Sequence, residues 1–168
     1  MYTKPAVSFV LPCYNYGRYL LDALKSIFGQ DGEHDFEVIV IDDGSTDNTQ
    51  EVLRLFPDPR LRVIHHPVNL GHVKTISEGL SQARGDFIAR LDPDDCYRSC
   101  FLSSVLEKFS AFPEVGLVYG DAALINEEGR ITLEHCDRAH RDSDFKGNEF
   151  LRLLEENFIC SPTVIARR

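Results

Sequence analysis

Apolar positions along this chain alternate between two spacings. Short apolar stretches of strand length cover Val7 to Leu11, Phe36 to Ile41, Leu61 to His65, Phe87 to Leu91 and Val115 to Tyr119. Between them, apolar residues recur at helical spacing. Tyr19, Leu20, Ala23, Leu24, Ile27 and Phe28 predict an amphipathic helix over Arg18 to Gln30. Asp47 can cap a helix running to about Phe56, where Pro57 and Pro59 stop it. Val73 to Ala83 predicts a further helix, ended by Gly85, and Phe101, Leu102, Val105, Leu106 and Phe109 mark another, broken before Pro113. Phe36 to Ile41 is apolar on both faces after Glu37, as a buried parallel strand must be. Strand and helix in alternation imply a mostly parallel sheet covered by helices on both faces, with ligands bound beyond the carboxyl ends of the strands.

The last third is less regular. Ala123 to Asn126 and Arg130 to Leu133 flank Glu127-Glu128-Gly129, a plausible hairpin. Glu134 to Asp144 is polar and reads as a loop. Glu149 to Glu156 predicts a short helix and Ile159 to Ala166 a final strand. There is no internal repeat, low-complexity tract or long linker.

Bulk properties narrow the classes. A chain of 168 residues suffices for one domain with a substantial core. Its longest apolar stretches are strand-sized, so none spans a membrane, and Met1 to Pro5 lacks a signal-peptide pattern. Cys13, Cys96, Cys100, Cys136 and Cys160 form no Cys-x-x-Cys pair, which argues against a zinc knuckle and for thiols in a reducing cytosol. The net charge of −9 argues against non-specific nucleic-acid binding.

The chemistry concentrates at two acidic strand ends. Leu91-Asp92-Pro93-Asp94-Asp95 follows the apolar Phe87-Ile88-Ala89, and Asp42-Asp43-Gly44-Ser45 ends the strand from Phe36. Alternate residues of an extended segment share a side, so Asp92 and Asp94 can face one cation, while Asp95 can cap the helix that follows or form a turn. Hard oxygen ligands suit Mg²⁺ or Mn²⁺, which keep waters and bind phosphate oxygens. Such a site raises a difficulty, because aspartates repel a phosphate unless a cation lies between them.

These motifs together resemble family 2 glycosyltransferases with the GT-A fold. The resemblance runs from Val7 through Pro12-Cys13-Tyr14-Asn15, Phe36 to Asp47, Asn69-Leu70-Gly71 and Ala83 to Ile88, and culminates in Asp92-Pro93-Asp94, similar to the family's DxD element. It implies a three-layer α/β/α, Rossmann-like domain over residues 1–168, cut short at its C-terminus. It further implies a nucleotide-sugar donor, by default a UDP-sugar, bound with Mn²⁺ or Mg²⁺, and a carbohydrate or lipid-linked acceptor. The protein would work in the cytoplasm, up to the inner membrane face, in polysaccharide or glycoconjugate synthesis.

Residue by residue, the resemblance puts Pro12, Tyr14 and Asn15 at the nucleotide, with Tyr14 stacked on the base. Asp43 would accept a hydrogen bond from the base. Asp42 would support the turn, or cap it through Ser45. Asn69 and Gly71 would shape the loop beside the donor. Asp92 would face the ribose or the metal, and Asp94 would be the main metal ligand. Lys74 is either a phosphate contact or a solubilising surface charge. Where the family often carries Arg-Asn, this chain has Ile76 and Ser77.

The implied reaction is an inverting displacement whose carboxylate base commonly lies in a Glu-Asp motif. This chain contains no such dipeptide, so the base is expected beyond Arg168. Internal candidates are Glu134, His135, Asp137 and His140. The competing reading is a nucleotide-binding module without transferase activity. A receiver-like domain lacks its lone phosphorylatable Asp here, a nucleotidyltransferase lacks its Gly-rich basic loop, and a dehydrogenase lacks GxGxxG after the first strand.

Overall fold

A computed structural model describes residues 4–136, 146–148, 153 and 157–168. Its elements in chain order are β1 (Val7–Cys13), α1 (Gly17–Phe28), β2 (Phe36–Asp42), α2 (Thr49–Arg54), β3 (Leu61–His65), α3 (His72–Gln82), β4 (Phe87–Arg90), α4 (Phe101–Ala111), β5 (Leu117–Val118), β6 (Leu124–Ile125), β7 (Ile131–Leu133) and β8 (Ile165–Arg167). The predicted helix Glu149 to Glu156, apart from Leu153, and most of the loop from Glu134 lie outside the described residues.

The chain divides into two compact units, Met1–Val118 with Ile165–Arg168, and Tyr119–Val164. Among the described residues of the first unit, six strands form one sheet in the order β3-β2-β1-β4-β8-β5. β1 runs parallel to β2 and β4, β2 is parallel to β3, and β8 is antiparallel to both β4 and β5. From β1 the chain crosses to β2 on one side and later returns to β4 on the other. The crevice of an open α/β sheet forms at such a reversal.

Every residue of β1 and of β2 is buried. Val7, Phe9, Leu11, Val38 and Val40 pack with Leu20, Leu24 and Ile27 of α1, Leu53 of α2 and Leu102, Val105 and Phe109 of α4. Val10, Ile39 and Ile41 point to the opposite face, where α3 lies. Gly79 lets that helix approach, since a Cβ there would sit 2.4 Å from Val10 Cγ1 and 2.6 Å from Ile41 Cδ1. The sheet is therefore the middle of three layers, held by apolar area withdrawn from water on both faces.

Two elements differ from the sequence-based expectation. The final strand is Ile165–Arg167, preceded by a 3₁₀ turn at Ser161–Thr163. Pro162 has no N–H to give a ladder, so the strand begins after it. Only Leu117–Val118 of the expected fifth strand pairs. In the second unit β6 and β7 form the expected antiparallel hairpin, and Asn126 Oδ1 accepts from the Glu128 and Arg130 amides in its turn.

At the amino ends of β1 and β2 lies a buried polar knot. Ser8 Oγ donates to Glu37 Oε1 at 2.7 Å and accepts from the Arg84 and Gly85 amides. Arg84 and Arg62 bind Glu37 Oε2. Burial alone would raise the Glu37 carboxyl, but hydrogen bonds from Arg84, Ser8 and Arg62 overcome it and hold the group at about 2. Its folded value lies below the ordinary 4.5, so its contribution is complete above pH 4.5 and is lost as pH falls toward 2. Glu37→Gln is expected to cost up to about 3 kcal/mol at pH 7. Urea unfolding of both proteins at pH 7 and pH 3 checks this, and the difference should shrink at pH 3.

Candidate nucleotide-sugar site

The carboxyl ends of β1, β2 and β4 open into a cleft of about 470 Å³. Pro12 lies past the last β1–β4 pair, Val10 with Arg90, so no ladder on that side needs its missing N–H. Tyr14 follows with 43% of its surface exposed. Asn15 takes a positive φ of 60°, and its Oδ1 accepts from the Thr46 and Asp47 amides. The turn after β1 is thereby tied to the turn after β2.

Asp42 and Asp43 end β2 with different partners. Asp42 Oδ1 accepts from the Ser45 amide at 2.9 Å, and its Oδ2 meets His65 Nδ1 at 2.9 Å. Asp43 is only 3% exposed. Its Oδ1 accepts from the Leu70 amide at 2.8 Å and meets His66 Nδ1 at 2.6 Å, while Oδ2 accepts from the Gly71 amide at 2.9 Å. Gly71, at φ 91°, turns the chain into α3 while offering that N–H. His66 is 5% exposed and its Nε2 lies 2.9 Å from Glu78 Oε2.

Burial opposes ionisation of Asp43, but hydrogen bonds from His66, the Leu70 and Gly71 amides and Thr75 win, and the carboxyl lies below its ordinary range. The Asp43 hydrogen bond raises the His66 imidazole, burial opposes it, and Glu78 adds to the rise. Both shifts favour an imidazolium between two carboxylates. A neutral imidazole would donate to one carboxylate and leave its other ring nitrogen, an acceptor, facing the second.

At the end of β4, Arg90 Nη2 lies 2.6 Å from both oxygens of Asp92. Pro93 is buried and Asp94 exposed. The Asp95 amide closes a turn on the Asp92 carbonyl at 3.0 Å. Burial, then the charges of Asp94 and Asp92, push the Asp95 carboxyl up to about 6, with Arg90 pulling the other way.

Of the residues singled out from sequence, Pro12, Tyr14, Asp43, Asn69, Asp92 and Asp94 line this one cleft. Asn15, Asp42, Gly71 and Lys74 do not line it; the first three brace the turns behind it, and Lys74 is exposed on the first turn of α3. His135 belongs to the second unit, with Nδ1 2.7 Å from Asp121 Oδ2, and Asp137 and His140 lie outside the described residues. Sequence reasoning missed Arg90, His66, Tyr16, His72 and Thr75. The signal for His66 was present, because Asp-Asp ends β2 and His-His ends β3 in parallel register, Asp42 opposite His65.

Among the described residues no group of three or more His, Cys, Asp or Glu is arranged around a metal position. Asp92 and Asp94 nonetheless fit the hard cations that are held by one or two carboxylates plus substrate phosphates rather than by a protein cage.

This sheet with its cleft is the GT-A architecture. The crystal structure of S. aureus TarS residues 1–349 in complex with UDP-GlcNAc superposes with a TM-score of 0.75 at 26% identity, covering 96% of this chain and 45% of that one. The family model for glycosyl transferase family 2 matches residues 8–168, and the chain belongs to that family. A Haemophilus influenzae glycosyltransferase is 30% identical over 98% of this chain and 63% of its own length. The glycosyltransferase TuaG of Bacillus subtilis is 35% identical over 62% of this chain and 42% of its own length. The chain thus spans less than two thirds of these relatives.

The Asp43–His66 pair makes a measurable demand. A raised imidazole contributes stability fully below its ordinary 6.5 and loses it as pH climbs through the folded value. NMR titration of the histidines should show His66 titrating above 6.5, and in Asp43→Asn that rise should largely disappear.

Proposed function

We propose that this chain binds a nucleoside-diphospho-sugar in the cleft and forms the donor-binding part of a metal-dependent, inverting glycosyltransferase, acting on a carbohydrate or lipid-linked acceptor. The observation that carries this reading is the meeting of Tyr14, Asp43, Asn69, Asp92 and Asp94 in one cleft from four separate stretches of sequence. Its volume of about 470 Å³ lies within the usual range for small-molecule sites.

Each residue has a chemical part. The exposed Tyr14 ring offers a face on which any base can stack. Asp43, kept ionised, is purely an acceptor. It therefore suits a base that presents an N–H on its pairing edge, as uracil, thymine and guanine do and cytosine at N3 does not. The UDP-GlcNAc bound by TarS favours uracil as the default. Asp92 and Asp94 would hold Mg²⁺ or Mn²⁺ at the diphosphate, where the ion supplies Lewis-acid stabilisation of the leaving group. An acceptor hydroxyl attacks the anomeric carbon, the nucleoside diphosphate leaves, and a carboxylate must take the hydroxyl proton. We assign that base to sequence outside these 168 residues, since the relatives are longer and no Glu-Asp pair occurs here.

A thermal-shift panel of UDP, GDP, CDP and dTDP, each with Mn²⁺, Mg²⁺ or EDTA, tests the reading. Ligand at 100 times its dissociation constant should add about 2.7 kcal/mol. The expected result is a metal-dependent shift with UDP, little with CDP, and loss of the shift in Asp94→Ala. No shift with any nucleotide, or a preference for CDP, would overturn it. Binding without sugar transfer by the full-length protein would instead mark a nucleotide-binding module.

A further inference from the structure

The cleft has an unresolved charge balance. Asp43, Asp92 and Asp94 line it, and a diphosphate would bring more negative charge into it. The residues of α3 that line the cleft, His72 and Thr75, include no Lys or Arg. Lys74 is exposed and away from the cleft lining, Ile76 is apolar, and Ser77 Oγ turns back to donate to the Val73 carbonyl at 2.8 Å. Among the residues lining the cleft, Arg90 is the one Lys or Arg.

Strand geometry puts Arg90 there. Ala89 is fully buried in the core beneath α1 and α4, so the next side chain along β4 points away from that core. The Arg90 side chain keeps 30% of its surface, enough to reach the cleft but well sheltered from solvent. Its Nη2 straddles the two carboxylate oxygens of Asp92. A guanidinium carries five donors in a plane and matches phosphate oxygens side-on. Asp92 is also one of the two carboxylates that fit a divalent cation, so Arg90 and that cation compete for the same oxygens.

We propose that Arg90 is the diphosphate-binding side chain of this cleft and, before a donor arrives, the counter-ion of Asp92. In the ligand-free chain Arg90 neutralises Asp92 and keeps the acidic strand end from repelling itself. With a cation on Asp92, the guanidinium turns its donors to the phosphates. This rests on the nucleotide-sugar reading above and adds to it the residue that contacts the phosphates. It also explains how the chain manages without a Lys or Arg of α3 in the cleft lining.

The two roles of Arg90 give effects of opposite sign. In Arg90→Gln, Mn²⁺ alone, followed by its EPR signal, should bind several-fold more tightly, because its competitor for Asp92 is gone. UDP with Mg²⁺, followed by calorimetry, should bind at least about tenfold more weakly, the loss expected for one charged hydrogen bond. Uridine, which has no phosphate, should change less than about twofold, since its contacts are untouched. Arg90→Lys keeps the charge without the fork and should fall between. Arginine-selective ¹³C labelling of the wild type needs no variant: UDP with Mg²⁺ should shift one guanidinium signal that uridine leaves in place. Equal weakening of UDP and uridine, unchanged UDP affinity in Arg90→Gln, or no arginine signal specific to UDP would each overturn the assignment. Absence of UDP binding to the wild type would overturn the nucleotide-sugar reading itself.

Discussion

The Asp43 carboxylate is the point on which the cleft depends. It sits at the end of a strand buried on both faces, and it draws donors from everything that converges there. Its own amide donates to the Cys13 carbonyl of β1, while the Leu70 and Gly71 amides and His66 reach its oxygens from the segment between β3 and α3. A buried charge is tolerated only when it is paired and hydrogen-bonded, so each of these partners is fixed by the need to satisfy the others. His66 is in turn held by Glu78 of α3. One acidic residue, through its amide and its carboxylate, thereby registers β1, β2, the loop after β3 and α3 against one another, and the cleft is the space they leave.

The two ends of the sheet show what separates a structural charge from a functional one. At the amino end Glu37 is enclosed by Ser8, Arg62 and Arg84, and its partners leave it nothing further to do. At the carboxyl end the groups are incompletely matched. Asp94 and Tyr14 stay exposed, Asp95 is pushed toward neutrality by burial and then by its acidic neighbours, and Asp92 shares a single guanidinium nitrogen. Unbalanced charge of this kind is expected where a charged ligand completes the site.

Much of this was readable from the chain. The strand and helix spacings gave the layers, because β1 and β2 are apolar on both faces and only a sheet covered on both sides accommodates that. The paired acidic strand ends pointed to the ligand crevice. What stayed hidden depended on strand order. His66 needed the parallel register of β2 and β3 to become visible as the partner of Asp43, although Asp-Asp and His-His in neighbouring strands carried the hint. Arg90 reads in sequence as one polar residue in an apolar run, and only the facing of Ala89 toward the core turns it to the cleft. Lys74 was the more conspicuous cation, yet its place on the first turn of α3 points it to solvent. The final strand is shorter than its apolar stretch because Pro162, within the 3₁₀ turn Ser161–Thr163, has no N–H to give a ladder.

The most direct test of the account is a map of amide shifts in the ¹⁵N-labelled chain as UDP and Mg²⁺ are added. If the cleft is the nucleotide site and Asp43 meets the base, the largest shifts fall on Tyr14, Asp43, Leu70 and Gly71, because the Leu70 and Gly71 amides report directly on the carboxylate they donate to. The amides of Glu37, Arg84 and Gly85, at the far end of the strands, stay in place. Shifts centred on that far end, or none at saturating UDP, would contradict the account.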